Sequence, residues 1–135
     1  NFEIADYSLK NNKKLGKKIY NKLNNLSKTK NKSKKNIEYH KITIEIETVK
    51  NKIAMAKDTA GKVLEYKIII TSNIVIKDYF SDNEILGQSF SYSLLHPVQS
   101  EYSETVKLEN KNEENIINKI FQNLLIMLSD NLIQK

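Results

Sequence analysis

The chain has 135 residues, 39% hydrophobic and 28% charged, with a formal net charge of +6 and no cysteine. That length and composition fit one globular domain with one hydrophobic core and exclude a disordered chain. They also exclude disulfides, thiolate metal sites and cysteine nucleophiles, and no apolar run is long enough to span a bilayer.

Phe2 to Leu9 alternates apolar and polar residues, with a slip between Ile4 and Tyr7, and predicts a short first strand. Residues 11–28 follow with Leu15, Ile19, Leu23 and Leu26 at helical spacing, lysines and asparagines covering the other faces. Gly16 inside this helix costs about 1 kcal/mol relative to alanine, so the helix needs tertiary packing to persist. The stretch 27–36, SKTKNKSKKN, has no apolar residue and reads as a solvated loop.

Ile42, Ile44 and Ile46 alternate with Lys41, Thr43, Glu45 and Glu47 in a half-buried strand that continues through Ile53 and Met55. A register change is expected near Val49-Lys50-Asn51, where a bulge would absorb it. Asp58-Thr59-Ala60-Gly61 is a turn, with glycine where a positive φ is needed. Residues 63–77 carry the strongest strand pattern, with Leu64, Tyr66, Ile68, Ile70, Ile74 and Ile76 on one face. The other face holds Lys67, Ile69, Thr71, Asn73, Val75 and Lys77 and is only half polar. After a turn at 81–84, residues 85–95 form a strand presenting Phe90, Tyr92 and Leu94, closed by Pro97.

A long helix fills the last third, with Ile117, Phe121, Leu124, Leu128 and Leu132 in its stripe and Ile116, Ile120 and Met127 widening it. Ser100 or Ser103 is its candidate cap, and Glu101, Glu104, Glu109, Glu113 and Glu114 crowd its first half, most of them expected to be solvated. The order β-α-β-β-β-α predicts a single α+β domain over residues 1–135: a four-stranded, mainly antiparallel sheet with both helices on one face.

Little in the chain points to catalysis. The two histidines, His40 and His96, read as surface or rim residues at strand ends. No metal-ligand cluster, Gly-rich phosphate loop or nucleophile motif occurs, and Asp78, Asp82 and Glu84 do not match a calcium loop. Neither an enzyme nor a cofactor is expected.

All 22 basic residues are lysine, which with the abundance of Asn and Ile suggests an AT-rich genome. Their distribution carries more information: residues 1–62 hold 16 lysines against 6 acids, and residues 63–135 hold 6 against 10. A basic end suits phosphate groups or an anionic surface. Lys28, Lys30, Lys32, Lys34 and Lys35 form one cluster, and Lys50, Lys52, Lys57 and Lys62 ring the hairpin between the second and third strands. Nucleic acid is the rival partner for the lysine-rich half. Against it, the order differs from an RNA-recognition motif, and Tyr66, Phe90 and Tyr92 fall on apolar faces better spent in the core. The half-apolar face of Ile69, Thr71, Asn73 and Val75 suits burial against another protein.

The segment IAMAKDTAGKVLEYKIIITSNIVI, residues 53–76, resembles the central hairpin of the LptE family of lipopolysaccharide-assembly lipoproteins. The tail is similar as well: a serine- and aromatic-rich strand, Ser100-Glu101-Tyr102, then LENKNEENIINKI opening a long amphipathic helix. The resemblance implies a lipoprotein at the periplasmic face of the outer membrane that plugs and helps assemble the β-barrel LptD and contacts lipopolysaccharide. It implies a lipopolysaccharide contact at Lys57, with Lys62, Lys52 and Lys50 as neighbours. The family's lipidated cysteine is absent from this chain, which opens on Asn1-Phe2-Glu3-Ile4 without a secretion signal and reads as a mature or trimmed product. The strand GQSFSYSLL carries no basic residue for a second contact. A nucleic-acid-binding module and an envelope adaptor with another partner are the alternatives.

Overall fold

The computed structural model describes residues 2–31 and 40–133. The elements are β1 (Phe2–Asn11), α1 (Lys13–Asn31), β2 (His40–Lys57), β3 (Val63–Asp78), β4 (Glu84–Pro97) and α2 (Tyr102–Ile133). The strands form one sheet in the order β1-β2-β3-β4. β1 runs parallel to β2 and the other pairs are antiparallel. A parallel neighbour requires a crossover, and α1 supplies it. This is the α+β architecture that the sequence pattern predicts.

Alternation fixes which sheet face meets the helices. Ile42, Ile44 and Ile46 of β2 and Ile68, Ile70, Ile74 and Ile76 of β3 are all buried, joined by Phe90 of β4. Leu15, Ile19 and Leu23 of α1 and Ile116, Ile117, Ile120, Leu124 and Leu128 of α2 close over them. Burying one such side chain contributes about 1.5–3 kcal/mol, which makes this layer the main source of cohesion. Within it, Thr48 and Ser72 are fully buried and join their hydroxyls at 2.9 Å, so neither is left unsatisfied. The slip in β1 is a bulge between Ile4 and Asp6, which places Tyr7 opposite Ile44 and Leu9 opposite Ile46.

Several expectations need correction. The second strand keeps its register through Val49, Lys50 and Asn51, opposite Thr71, Ile70 and Ile69; the shifts fall at Ala54–Lys57, close to the turn. There the tight connection, not the strand itself, imposes the extra residue. Helix α1 continues to Asn31, past the predicted boundary, and Ser27 rather than Leu26 completes its buried stripe. The rest of the polar stretch, with Lys32, Lys34 and Lys35, and the side chains of Lys30 and Leu132 lie outside the described residues.

Helix α1 is capped by Asn12, whose Oδ1 accepts from Leu15 N–H at 3.1 Å, while Asn12 N–H donates to Thr48 O at 2.8 Å. Gly16 faces the sheet: a Cβ there would meet Leu9, Ile46 and Thr48 at 3.4–3.5 Å. At the start of α2, the Thr105 hydroxyl accepts from Gln99 N–H at 2.8 Å, and Glu101 O accepts from Glu104 and Thr105 N–H.

Candidate functional site: a lysine hairpin and an uncovered sheet face

Beyond Lys50 the β2–β3 hairpin projects past the core, and residues 51–62 are all exposed. Asp58 organises its tip. Asp58 Oδ1 accepts from Ala60 N–H at 2.9 Å and Lys62 N–H at 2.8 Å, and Asp58 N–H donates to Lys62 O at 2.9 Å. Gly61 takes φ +85°, a conformation that a side chain would strain. Lys57 and Lys62 therefore stand on either side of a rigid turn with their side chains in solvent.

Lys50 and Lys52 are placed differently, on the helix side of the sheet. Lys50 Nζ lies 2.6 Å from Glu109 Oε2 and 3.4 Å from Glu113 Oε1; Lys52 Nζ lies 2.7 Å from Glu109 Oε1. Lys52 also sits over the Tyr66 ring at 4.3 Å. Burial works against the Lys50 ammonium, but the Glu109 hydrogen bond and the charges of Glu113 and Glu109 more than offset it and raise its pKa. The four predicted lysines thus divide into an exposed pair at the tip and a pair engaged by α2.

His96 corrects a second expectation. It is 2% exposed rather than at the surface, with Nε2 3.9 Å from Glu109 Oε1 and neither ring nitrogen hydrogen-bonded among the described residues. Burial lowers its pKa; Lys52 and Lys50 act in the same direction, and Glu109 opposes them. The α2 acids correct a third: Glu109 and Glu113 hold Lys50, while Glu114 pairs with Lys18 at 3.8 Å and Lys22 at 3.6 Å. The acidic helix packs against the basic half of the chain and neutralises part of it. Among the described residues no group of His, Cys, Asp or Glu could hold a metal ion.

Ile69, Thr71, Asn73 and Val75 lie on the sheet face away from the helices, Asn73 exposed and the others half-buried. Neighbouring strands extend this face. Ile69 stands opposite Asn51 and Ser93, Thr71 opposite Val49 and Ser91, and Asn73 opposite Glu47 and Ser89. Ser89, Ser91 and Ser93 make a row of small hydroxyls, one joined to Thr71 at 2.9 Å. The period-two serines of GQSFSYSLL are the signal that could have marked β4 as part of this surface. At the hairpin end, Ile53 (45% exposed) and Leu95 (53% exposed) flank Lys67; away from the hairpin, a groove of about 110 Å³ lined by Ser8, Lys10, Glu45, Glu47, Asn73 and Val75 crosses β1, β2 and β3. The face is mixed in polarity and uncharged in its β4 third, which suits a broad protein contact rather than a buried small molecule.

The chain shares its fold, across nearly its whole length, with several small bacterial lipoproteins of known structure. Rare lipoprotein B of Shewanella oneidensis superposes with a TM-score of 0.53 at 14% identity, covering 96% of this chain and 98% of that one. A minor lipoprotein of Acinetobacter baumannii gives 0.61 at 14% identity, with 97% and 95% covered. An uncharacterized lipoprotein B of Nitrosomonas europaea gives 0.61 at 13% identity, with 99% and 89% covered. No protein-family model matches the chain, and no curated protein matches it.

Proposed function

We propose that this chain is the periplasmic body of an LptE-like lipoprotein, a non-catalytic subunit held at the outer membrane by a lipid anchor. In this reading it plugs and helps assemble an LptD-like β-barrel and contacts lipopolysaccharide while that lipid is inserted. The observation that carries the reading is the whole-length agreement of fold with bacterial lipoproteins, rare lipoprotein B among them. The uncovered face around Ile69, Thr71, Asn73 and Val75 is the surface offered to the barrel. Lys57 and Lys62, exposed at the rigid tip, are the groups offered to lipid phosphates, as point charges without the two-pronged geometry of arginine. Lys50 and Lys52 have a supporting part, since Glu109 already holds both.

The test is affinity purification of the full-length tagged protein from its own cell envelope, with copurifying proteins identified by mass spectrometry. A large outer-membrane barrel as the dominant partner supports the reading. Nucleic acid or a cytosolic protein in its place overturns it and turns attention to the lysine-rich half.

A further inference from the structure

The end of the sheet opposite the lysine hairpin has a surface that the proposed barrel and lipopolysaccharide contacts do not use. Here β3 turns into β4, and the turn exposes two adjacent aromatics, Tyr79 at 48% and Phe80 at 76%, packed edge to face with ring centroids 5.3 Å apart. Neither ring belongs to the hydrophobic core, so the fold gains little from them.

The turn is nevertheless rigidly built. Asp78 Oδ2 accepts from Phe80 N–H at 3.1 Å, Ser81 N–H at 2.8 Å and the Ser81 hydroxyl at 2.9 Å. Those Ser81 bonds, with help from His40 and Phe80, hold the Asp78 carboxyl below its ordinary pKa. Asp82 adopts φ 60°, and Tyr79 N–H donates to Lys41 O at 3.0 Å, which ties the turn to β2. Lys41 itself reaches over the Phe80 ring at 5.9 Å. Two aromatics and a lysine are thus presented outward at fixed positions.

Topology places the start of β1 at the same end. Phe2 at the start of β1 pairs with His40 at the start of β2, and Ile42 pairs with Asp78, so β1 begins at this same end of the sheet. In an anchored lipoprotein the lipid is attached on the N-terminal side of β1, and this end then faces the bilayer. Aromatic rings with a polar neighbour favour the interfacial zone of a membrane, where one side is apolar and the other wet. Lysine beside them can reach a lipid phosphate while its stem lies on the ring.

We propose that the Tyr79–Phe80 turn, with Lys41 beside it, is a membrane-docking wedge that seats the anchored domain on the phospholipid surface and orients the lysine hairpin away from it. This rests on the lipoprotein reading above.

The chain contains no tryptophan and no cysteine, which makes the experiment direct. Phe80→Trp introduces a single indole at the turn. Tyr102→Trp introduces one at the far end of the sheet, where Tyr102 is 84% exposed. Each variant is tethered through a cysteine added ahead of Asn1 to maleimide lipid in vesicles of phosphatidylethanolamine and phosphatidylglycerol, with and without brominated acyl chains. Phe80→Trp should shift its emission to the blue and be quenched by the brominated lipid, while Tyr102→Trp should do neither. Unchanged Phe80→Trp emission, or equal quenching at both positions, overturns the proposal. A barrel recovered by purification alongside a silent Phe80→Trp leaves the functional reading standing and removes only the wedge. A responsive Phe80→Trp without a barrel keeps the wedge on a lipoprotein with another partner.

Discussion

Lys50 Nζ and Glu109 Oε2 meet at 2.6 Å across the junction of β2 and α2, each side chain less than one-fifth exposed. The contact joins the strand that carries the hairpin to the long helix. Because Glu109 also receives Lys52 at 2.7 Å, one carboxylate fixes two successive inward positions of β2. Replacing Glu109 with Gln removes the charge while keeping the shape, and leaves Lys50 half-buried beside Glu113 alone. Charge-assisted hydrogen bonds of this kind are worth about 1.5–3 kcal/mol. Glu109→Gln should therefore lower the urea midpoint by a corresponding amount with an unchanged m-value, and a double-mutant cycle with Lys50→Met should recover part of that loss.

The same cluster gives the protein an acid limb in two stages. Burial keeps folded His96 below its ordinary pKa, so below about pH 6.5 the unfolded chain takes up a proton that the folded one resists. Stability falls through that range until His96 protonates in the folded state as well. For Glu109, burial pulls the pKa upward, but the Lys50 and Lys52 hydrogen bonds outweigh it and hold the carboxyl below its ordinary value. Its contribution is present above the ordinary carboxylate range and is lost at lower pH. Denaturant midpoints measured from pH 8 to 3 should show both steps. His96→Leu should flatten the upper step and leave the lower one, and an unchanged upper step would assign it to another group.

Gly16 shows how far a sequence can be read and where reading stops. Its place in a helix predicts a cost, and the periodicity of Leu15, Ile19 and Leu23 predicts the face it borders; both follow from spacing alone. Its distance from Leu9, Ile46 and Thr48 depends on how the helix settles on the sheet, which local pattern does not encode. A Cβ at 3.4–3.5 Å is in ordinary van der Waals contact, so alanine fits. Gly16→Ala should gain about 0.5–1 kcal/mol from helix propensity, read as a raised thermal midpoint. A lowered midpoint would mean that α1 is forced off the sheet.

The same division runs through the rest of the molecule. Isoleucine alternation in β2 and β3 made the sheet and its inward face legible, and the slip between Ile4 and Tyr7 foretold the bulge in β1. Long-range pairing was not legible. Nothing local distinguishes Glu109, which binds two lysines some sixty positions earlier, from Glu101, which lies exposed. His96 followed the same logic: a histidine before Pro97 looks like a rim residue until α2 is laid over it. Grouping Lys50 and Lys52 with Lys57 and Lys62 likewise rested on nearness in sequence, and the strand's alternation together with the acids of α2 divided them.

That division sharpens the hairpin test. Lys57 and Lys62 make no ion pair among the described residues, so Lys57→Glu with Lys62→Glu should leave the thermal midpoint within about 0.5 kcal/mol of the parent in equivalent stability. On the proposed function, affinity for lipopolysaccharide should fall, and the difference from the parent should shrink as salt is raised, because exposed charges are screened over about 8–10 Å at ordinary ionic strength. Unchanged affinity at low salt would remove the tip from the contact.

The uncovered face separates folding from partnership in a different way. Ile69 is half-buried between Asn51 and Ser93, with no helix above it among the described residues, so a lysine there can extend into solvent along its own stem. Ile69→Lys should cost at most about 1 kcal/mol of stability, a typical value for a surface-facing change. Pressed against the wall of a barrel, the same ammonium would lose its water without gaining a partner, and such desolvation is costly. On the proposed function, recovery of a barrel with the tagged Ile69→Lys protein should therefore drop severalfold while its unfolding curve stays close to the parent's. Equal recovery from both proteins would show that the barrel is held elsewhere, and the edge strands would then be the surface to alter next.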